Sequence, residues 1–289
     1  MVTIYFLDEN EGHYLYKRVS KLLSNHHTSN RSTPVKVTYS EDHALQIDLD
    51  PFNSVTDMIK PTLLNFFAKH IIRTRETGWI LRILEHQYYF KDKDEQQQIL
   101  TIVQALLEGS HDDLPQISGL PMREEVITNA FESFFDCDMM FSYESFLQFR
   151  LKPYRELLEE YIECAIDEFK LEQEYQEFIH QLRQFVKTRV SLFSTVHLRH
   201  LDEQYKVCNE HEYELNEKDI ASILKDNRNT FDEFIASDLL KLLIVIAPTK
   251  ICLYTDEEDA SMNQTIQNIF QERVRILPCR SYQVRKQNL

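Results

Sequence analysis

Two pairs of possible zinc ligands stand out in the C-terminal third of this 289-residue chain. His197-x-x-His200 is followed by Cys208-x-x-His211, and zinc is bound by cysteine and histidine at such short spacings. The surrounding residues are typical of two strands, in which positions three apart point to opposite faces of a sheet. The pattern therefore favours ordinary, half-exposed strand residues, and the sequence predicts no bound metal. A metal-dependent hydrolase that uses His197, His200 and His211 stays as an alternative.

Carboxylates are the second group that could do chemistry. An acidic row lines one face of the helix predicted after Pro153, and it comprises Glu156, Glu159, Glu160, Glu163, Asp167 and Glu168. Carboxylates four residues apart repel one another unless a cation or salt screens them. We interpret the row as a solvated helix face, with a divalent-cation site, and hence metal-dependent hydrolysis, as the alternative.

The glycines exclude several classes of nucleotide-binding enzyme. There are only four, Gly12, Gly78, Gly109 and Gly119, and the nearest two are ten positions apart. Phosphate-binding loops need several glycines close together, because their backbone adopts positive φ and approaches the ligand closely. No Walker A loop, dinucleotide fingerprint or kinase glycine loop can be built, and the sequence predicts no cofactor.

The cysteines and the apolar segments indicate the compartment. Five cysteines lie 27 or 44 residues apart without a CxxC pair, which is not the pattern of a disulfide framework. Cys137 is flanked by Asp136 and Asp138, whose charges oppose thiolate formation. The first residues lack a basic segment followed by an apolar one, and the most apolar stretch, 239–247, is far shorter than a bilayer requires. We therefore expect a cytoplasmic protein without a membrane partner.

The charge distribution bears on nucleic-acid binding. With 47 acidic and 32 basic residues, the net charge of -15 argues against non-specific binding to phosphates. The last residues differ, because no acidic residue follows Glu272 and Tyr282 could stack on a base. The basic residues of this tail are Arg273, Arg275, Arg280, Arg285 and Lys286. Nucleic-acid binding is thus expected, if at all, only through the tail, and another protein is the favoured partner.

The periodicity of apolar residues predicts an α+β fold that begins with a β-α-β-β-α unit. Apolar residues recur every second position in strands and every three to four positions in helices. With a helical extension, this N-terminal α/β unit spans residues 1–110. Its strands are predicted at 2–7, 35–39 and 44–49, and its helices at 14–23, 53–90 and 92–108, the last closed by Gly109. Residues 40–43 join the second and third strands as a hairpin.

A helical middle, 122–190, and a C-terminal α+β unit, 191–289, follow a linker at 111–121. Pro153 suits the first turn of the long middle helix. In the last unit, antiparallel strands at 194–200 and 205–215 precede a helix at 219–247. A strand at 250–255, a helix at 260–272 and a strand at 274–277 then make one right-handed parallel crossover. These parts could pack as one or two domains.

One stretch resembles a known family. It reads Phe146-Leu-Gln-Phe-Arg-Leu-Lys-Pro-Tyr154, continues as Arg-Glu-Leu-Leu-Glu-Glu, and is extended by residues 167–186. This stretch is similar to the YtxC-like sporulation proteins of endospore-forming bacteria such as Bacillus. The resemblance implies a role in sporulation and carries over no catalytic residue.

The same stretch predicts an elbow, which we define as Phe149, Arg150, Lys152 and Tyr154. Phe149 offers an apolar anchor ahead of the helix that Pro153 begins, and Arg150 and Lys152 place two cations beside it. The elbow could simply pack against the next helix, or it could recognise an anionic group. We expect a non-enzymatic interaction protein used in sporulation. A metal-dependent hydrolase and a nucleic-acid-associated factor are the alternatives.

Overall fold

The computed structural model describes residues 1–24, 35–49, 54–109, 120–135, 139–201, 204–226 and 235–286. The polar loop before Val35, the linker from His111 and Cys137 lie outside the described residues. The α+β class is confirmed by two four-stranded sheets with helices around them. By packing, the chain divides into two compact units, Met1–Lys170 and Leu171–Leu289. The three-part division of the sequence stays a prediction.

The first unit contains a mixed sheet in the order β2-β3-β1-β4. Its strands are β1 (Val2–Tyr5), β2 (Val35–Tyr39), β3 (Ala44–Leu49) and β4 (Met139–Ser142). The predicted hairpin is confirmed, because β2 and β3 pair antiparallel from Val35 with Leu49 to Tyr39 with Leu45. β4 was not predicted, and it pairs parallel with the distant β1, for example Met139 with Val2.

The helices of this unit share one hydrophobic core with that sheet. They are α1 (Glu9–Ser24), α2 (Ser54–Ile71), α3 (Thr77–His86), α4 (Lys93–Glu108), α5 (Arg123–Phe135) and the short α6 (Tyr143–Ser145). The prediction of α4 is confirmed at both ends. The Asp92 side chain accepts hydrogen bonds from the N–H groups of Asp94 and Glu95, and Gly109 adopts the left-handed conformation with φ 60°.

Two stretches of this unit form π-helical turns. The first π-segment, Ile72–Glu76, joins α2 to α3, and the second, Phe146–Arg150, follows α6. Pro61 lies inside α2, and the irregular turn lies just before Gly78. The helical stretch expected at 53–90 thus contains α2, this π-segment and α3. The predicted start of α1 at residue 14 is too late. The helix begins at Glu9, because the Asp8 side chain accepts a hydrogen bond from the N–H of Asn10.

Aromatic side chains fill the core of the first unit. Phe131 and Phe146 stack with ring centroids 3.9 Å apart, and Phe67 packs on Phe131 at 5.3 Å. All three rings are buried. Since aromatic pairs stabilise beyond their buried area, this cluster fixes the second π-segment against α2 and α5.

The second unit contains a sheet in the order β6-β5-β7-β8. Its strands are β5 (Thr195–Leu201), β6 (Gln204–Cys208), β7 (Lys250–Tyr254) and β8 (Val274–Leu277). Its helices are the last part of α7 (Lys152–Thr188), α8 (Glu217–Asp226), α9 (Asp238–Ile246), α10 (Ser261–Phe270) and α11 (Cys279–Lys286). The predicted crossover is confirmed, because β7 and β8 pair parallel with α10 between them.

Two expectations for this unit are wrong, and one helix was not predicted. β6 ends at Cys208 rather than at 215, because the Asn209 side chain accepts hydrogen bonds from the N–H groups of His211 and Tyr213 and turns the chain. The expected helix at 219–247 is two helices, since the Ser237 hydroxyl caps a new one. The basic tail contains α11, which the polar composition of that segment did not indicate.

Candidate functional site

The elbow lies where the second π-segment ends and α7 begins. Phe149 is 68% exposed, and its neighbour Arg150 is exposed as well. The guanidinium of Arg150 lies over the ring of Phe134, 5.4 Å from its centroid. Lys152 is also exposed and forms an ion pair with Glu156 at 3.2 Å. Three of the four predicted residues therefore reach the surface.

Arg155 holds the backbone of the elbow. Its two terminal nitrogens donate to the carbonyl oxygens of Leu147 and Gln148 at 3.2 and 2.6 Å. In a π-helical turn the carbonyl of Gln148 would accept from residue 153, which is proline and has no N–H. The Arg155 side chain supplies that missing donor, and so the exposed positions 149 and 150 are carried on a fixed turn.

Tyr154, the fourth elbow residue, points inward. Its side chain is fully buried, and its hydroxyl donates a hydrogen bond to the carboxylate of Glu76. Its ring meets that of Trp79 edge-on at 6.1 Å. Burial, followed by the charge of Glu76, raises the pKa of the Tyr154 hydroxyl well above its usual range. Tyr154 is thus a neutral hydrogen-bond donor inside the first unit, not part of the exposed surface.

A cleft of about 360 Å³ adjoins the elbow. One wall is α5 with the residues just before it, and the other is the start of α7. The lining consists of Pro121, Val126, Asn129, Ala130, Arg150 and Pro153. Among the residues that the structure describes, no carboxylate forms an ion pair with Arg150. The cleft is therefore mainly apolar with one available cation at its edge.

Sequence reasoning missed a buried carboxylate, Glu76, which bonds to both helices that form this cleft. Glu76, at the end of the first π-segment, accepts from Tyr154 through one oxygen and from Arg123 at 3.1 Å through the other. Burial raises the pKa of Glu76, and the hydrogen bond from Tyr154 and the charge of Arg123 oppose that rise. Glu76 has no signature in the sequence, because both partners are distant along the chain.

The histidine and cysteine pairs lie in the second unit. The two histidines of β5 point to opposite faces, as predicted: Nδ1 of His197 lies 3.2 Å from the Tyr254 hydroxyl, and Nδ1 of His200 lies 3.1 Å from that of Thr255. Both side chains are buried, so the expectation of half-exposed strand residues is wrong for them. His211 lies beyond β6 in an exposed turn. Within the described ranges, no group of three or more histidine, cysteine, aspartate or glutamate side chains could hold a metal ion.

The acidic row of α7 is partly engaged in the first unit. Glu159 accepts a hydrogen bond from Gln87 at 3.1 Å, and Glu163 accepts one from the Tyr88 hydroxyl at 2.8 Å. Burial and this bond raise the pKa of Tyr88 to about 12. These two carboxylates therefore help to fix α7 against the loop that follows α3.

The basic tail does not offer the aromatic ring that the sequence suggested. Tyr282 is buried, meets Tyr254 edge-on at 5.1 Å and lies under the guanidinium of Arg199 at 4.5 Å. Arg273 donates to the carbonyl of Pro248 at 3.1 Å. Arg275 and Arg280 are exposed. Without an exposed ring, base stacking by Tyr282 is not available in this structure.

As for membranes, none of the described helices combines the length and the apolar character that a bilayer span needs.

Comparisons with known proteins give one family. The sequence profile of the YtxC-like family matches residues 61–275. A protein of Bacillus subtilis (strain 168) named "Uncharacterized protein YtxC" is 36% identical over 235 residues, which cover 81% of this chain and 81% of that protein. No solved structure matches. The family match includes the elbow, Glu76 and Arg123.

Proposed function

The chain belongs to the YtxC-like family, and on that premise we propose that it is a cytoplasmic, non-enzymatic interaction protein used during sporulation. The sporulation setting is supported by the resemblance of residues 146–186. The interaction role is supported by one observation above all. Phe149 stands 68% exposed, and its neighbour in the chain, Arg150, is the one cation among the described residues that line the apolar cleft.

The chemistry of the cleft specifies its occupant. Apolar walls at Pro121, Val126 and Pro153 suit a buried apolar side chain, and the guanidinium of Arg150 suits a carboxylate in bidentate contact. Aromatic residues and arginine are enriched at the centres of protein interfaces. We therefore propose that the occupant is a segment of another protein with an apolar side chain next to an aspartate or glutamate.

Affinity capture from sporulating cells tests the proposal. The baits are the wild-type protein, Phe149→Ala, Arg150→Glu and the control Tyr89→Ala, which removes another exposed ring of the same unit, 75% exposed. Truncation of a central interface residue costs about 2 kcal/mol or more, which is roughly a thirty-fold loss of affinity. A protein identified with the wild type and with Tyr89→Ala should disappear with both elbow variants. Equal recovery with all four baits would remove the elbow from the interaction.

A further inference from the structure

The carboxylate of Glu76 contacts both of the helices that form the walls of the cleft, α5 and α7. Arg123, at the start of α5, donates to one oxygen at 3.1 Å, and Tyr154, in the first turn of α7, donates to the other. α5 contributes Val126, Asn129 and Ala130 to the lining. The first turn of α7 contributes Pro153, the neighbour of Tyr154.

We propose that Glu76 is a positioning residue for partner binding, whose carboxylate ties α5 to α7 and thereby fixes the separation of the cleft walls. The inference rests on the proposed function of the cleft. Glu76 is 7% exposed and does not line the cleft, so it acts through Arg123 and Tyr154 rather than by contact with the occupant. A carboxylate is suited to this task because its two oxygens accept two donors at a fixed angle.

The first π-segment explains why one residue can reach both walls. Its earlier residues bond to α1, where Arg73 donates to the Tyr14 hydroxyl at 2.7 Å and Arg75 pairs with Glu11. Glu76 leaves the same turn in the other direction, toward α5 and α7. A π-helical turn offsets successive side chains from the regular helical rows, and such turns are frequent at functional sites.

Glu11 provides a matched control for Glu76. Its side chain is 10% exposed, and its carboxylate also has two partners, Nε2 of His70 at 3.1 Å and the guanidinium of Arg75. Neither partner belongs to α5 or α7, since His70 lies in α2 and Arg75 in the first π-segment. Loss of Glu11 should therefore loosen the first unit about as much as loss of Glu76 while leaving the separation of the two walls unchanged.

The probe for the test is 1-anilinonaphthalene-8-sulfonate, an apolar anion that fits an apolar cleft with an available guanidinium. Fluorescence titrations would compare the full-length wild type with Arg150→Glu, Glu76→Ala, Glu76→Gln, Tyr154→Phe and the control Glu11→Ala. We expect Glu76→Ala and Tyr154→Phe to weaken the Arg150-dependent binding at least about five-fold, the low end of couplings between sites. Glu76→Gln should largely retain it, since the amide oxygen can accept from Arg123 and the amide N–H can donate to the Tyr154 hydroxyl.

The outcomes separate this inference from the proposed function. If Arg150→Glu leaves dye binding unchanged, the binding chemistry proposed for the cleft fails. If Arg150→Glu weakens binding but Glu76→Ala does not, only the role of Glu76 fails. Equal weakening of dye binding by Glu11→Ala and Glu76→Ala would also overturn the role of Glu76, because general loosening of the first unit would then explain both losses. The role of Glu76 is supported if Glu76→Ala weakens dye binding while Glu76→Gln retains it and Glu11→Ala has no effect.

Discussion

The elbow divides into an exposed part and a buried part, and substitutions should affect stability accordingly. Tyr154→Phe removes the hydroxyl that donates to the buried Glu76 carboxylate but keeps the ring that packs on Trp79. A hydrogen bond to a charged group contributes about 1.5–3 kcal/mol, so the free energy of unfolding should fall by about that amount. Arg150→Ala removes an exposed cation–π contact with Phe134, which is worth about 0.5–1 kcal/mol.

Urea denaturation followed by tryptophan fluorescence measures this difference directly. Trp79 is the single tryptophan of the chain and contacts Tyr154, so its signal reports on the first unit. With a denaturant slope of about 2 kcal/mol per M, a loss of about 2 kcal/mol moves the urea midpoint down by about 1 M. Arg150→Ala should move it by less than about half of that.

A double-mutant cycle assigns the loss to the bond with Glu76. Tyr154→Phe in a Glu76→Leu background should lower stability by much less than in the wild type, because the acceptor is already absent. An unchanged urea midpoint for Tyr154→Phe would contradict the buried role of its hydroxyl. A fall in the midpoint for Arg150→Ala as large as that for Tyr154→Phe would contradict the exposed role of Arg150. The second result would place Arg150 in the structural framework rather than at a binding surface.

Three further predictions concern Gly12, Asp92 and Glu76 of the first unit. A Cβ at Gly12 would lie 2.4 Å from the Tyr39 hydroxyl oxygen, so Gly12→Ala should lower the melting temperature despite the helix preference of alanine, and Tyr39→Phe should recover part of the loss. Asp92→Ala should cost about 1 kcal/mol in urea titrations, because two N–H groups at the start of α4 lose their acceptor, whereas Asp94→Ala should cost less. Burial raises the pKa of Glu76, so the Glu76 carboxyl binds its proton more tightly in the folded state than in the unfolded state. Proton binding by Glu76 therefore stabilises the fold at low pH, and this stabilisation is lost as the pH rises through the raised pKa. The free energy of unfolding of the wild type, relative to that of Glu76→Gln, should therefore fall as the pH increases above the ordinary pKa of glutamate. If the difference between the two proteins does not change with pH, the assigned burial of Glu76 is contradicted.

Local signals made much of the fold predictable. The hairpin of β2 and β3 has alternating residues and a four-residue turn, and α4 has an acceptor at Asp92 and a glycine at its end. Both patterns lie within a short stretch of chain and depend on backbone sterics and nearby donors. β4 differs, because its four residues acquire a meaning only by pairing with β1, more than 130 residues earlier.

The candidate site was predictable only on its exposed side. Phe149 and Arg150 could be identified as a cation beside an apolar residue ahead of a proline. That Tyr154 points inward depends on Glu76, which precedes it by 78 residues, and on tertiary packing. Glu76 itself lies in a stretch with helical periodicity, where a glutamate normally faces solvent. No pattern in a single sequence distinguishes such a residue from a surface glutamate.

The central claim, that the elbow binds another protein, is tested most directly by photo-crosslinking from the elbow itself. Phe149 would be replaced by p-benzoylphenylalanine in the full-length protein in sporulating cells, with the same replacement at the exposed Tyr89 as the control. We expect a discrete crosslinked protein from position 149 that Arg150→Glu abolishes and that is absent from position 89. No crosslink from position 149, or the same crosslinks from both positions regardless of Arg150, would contradict it.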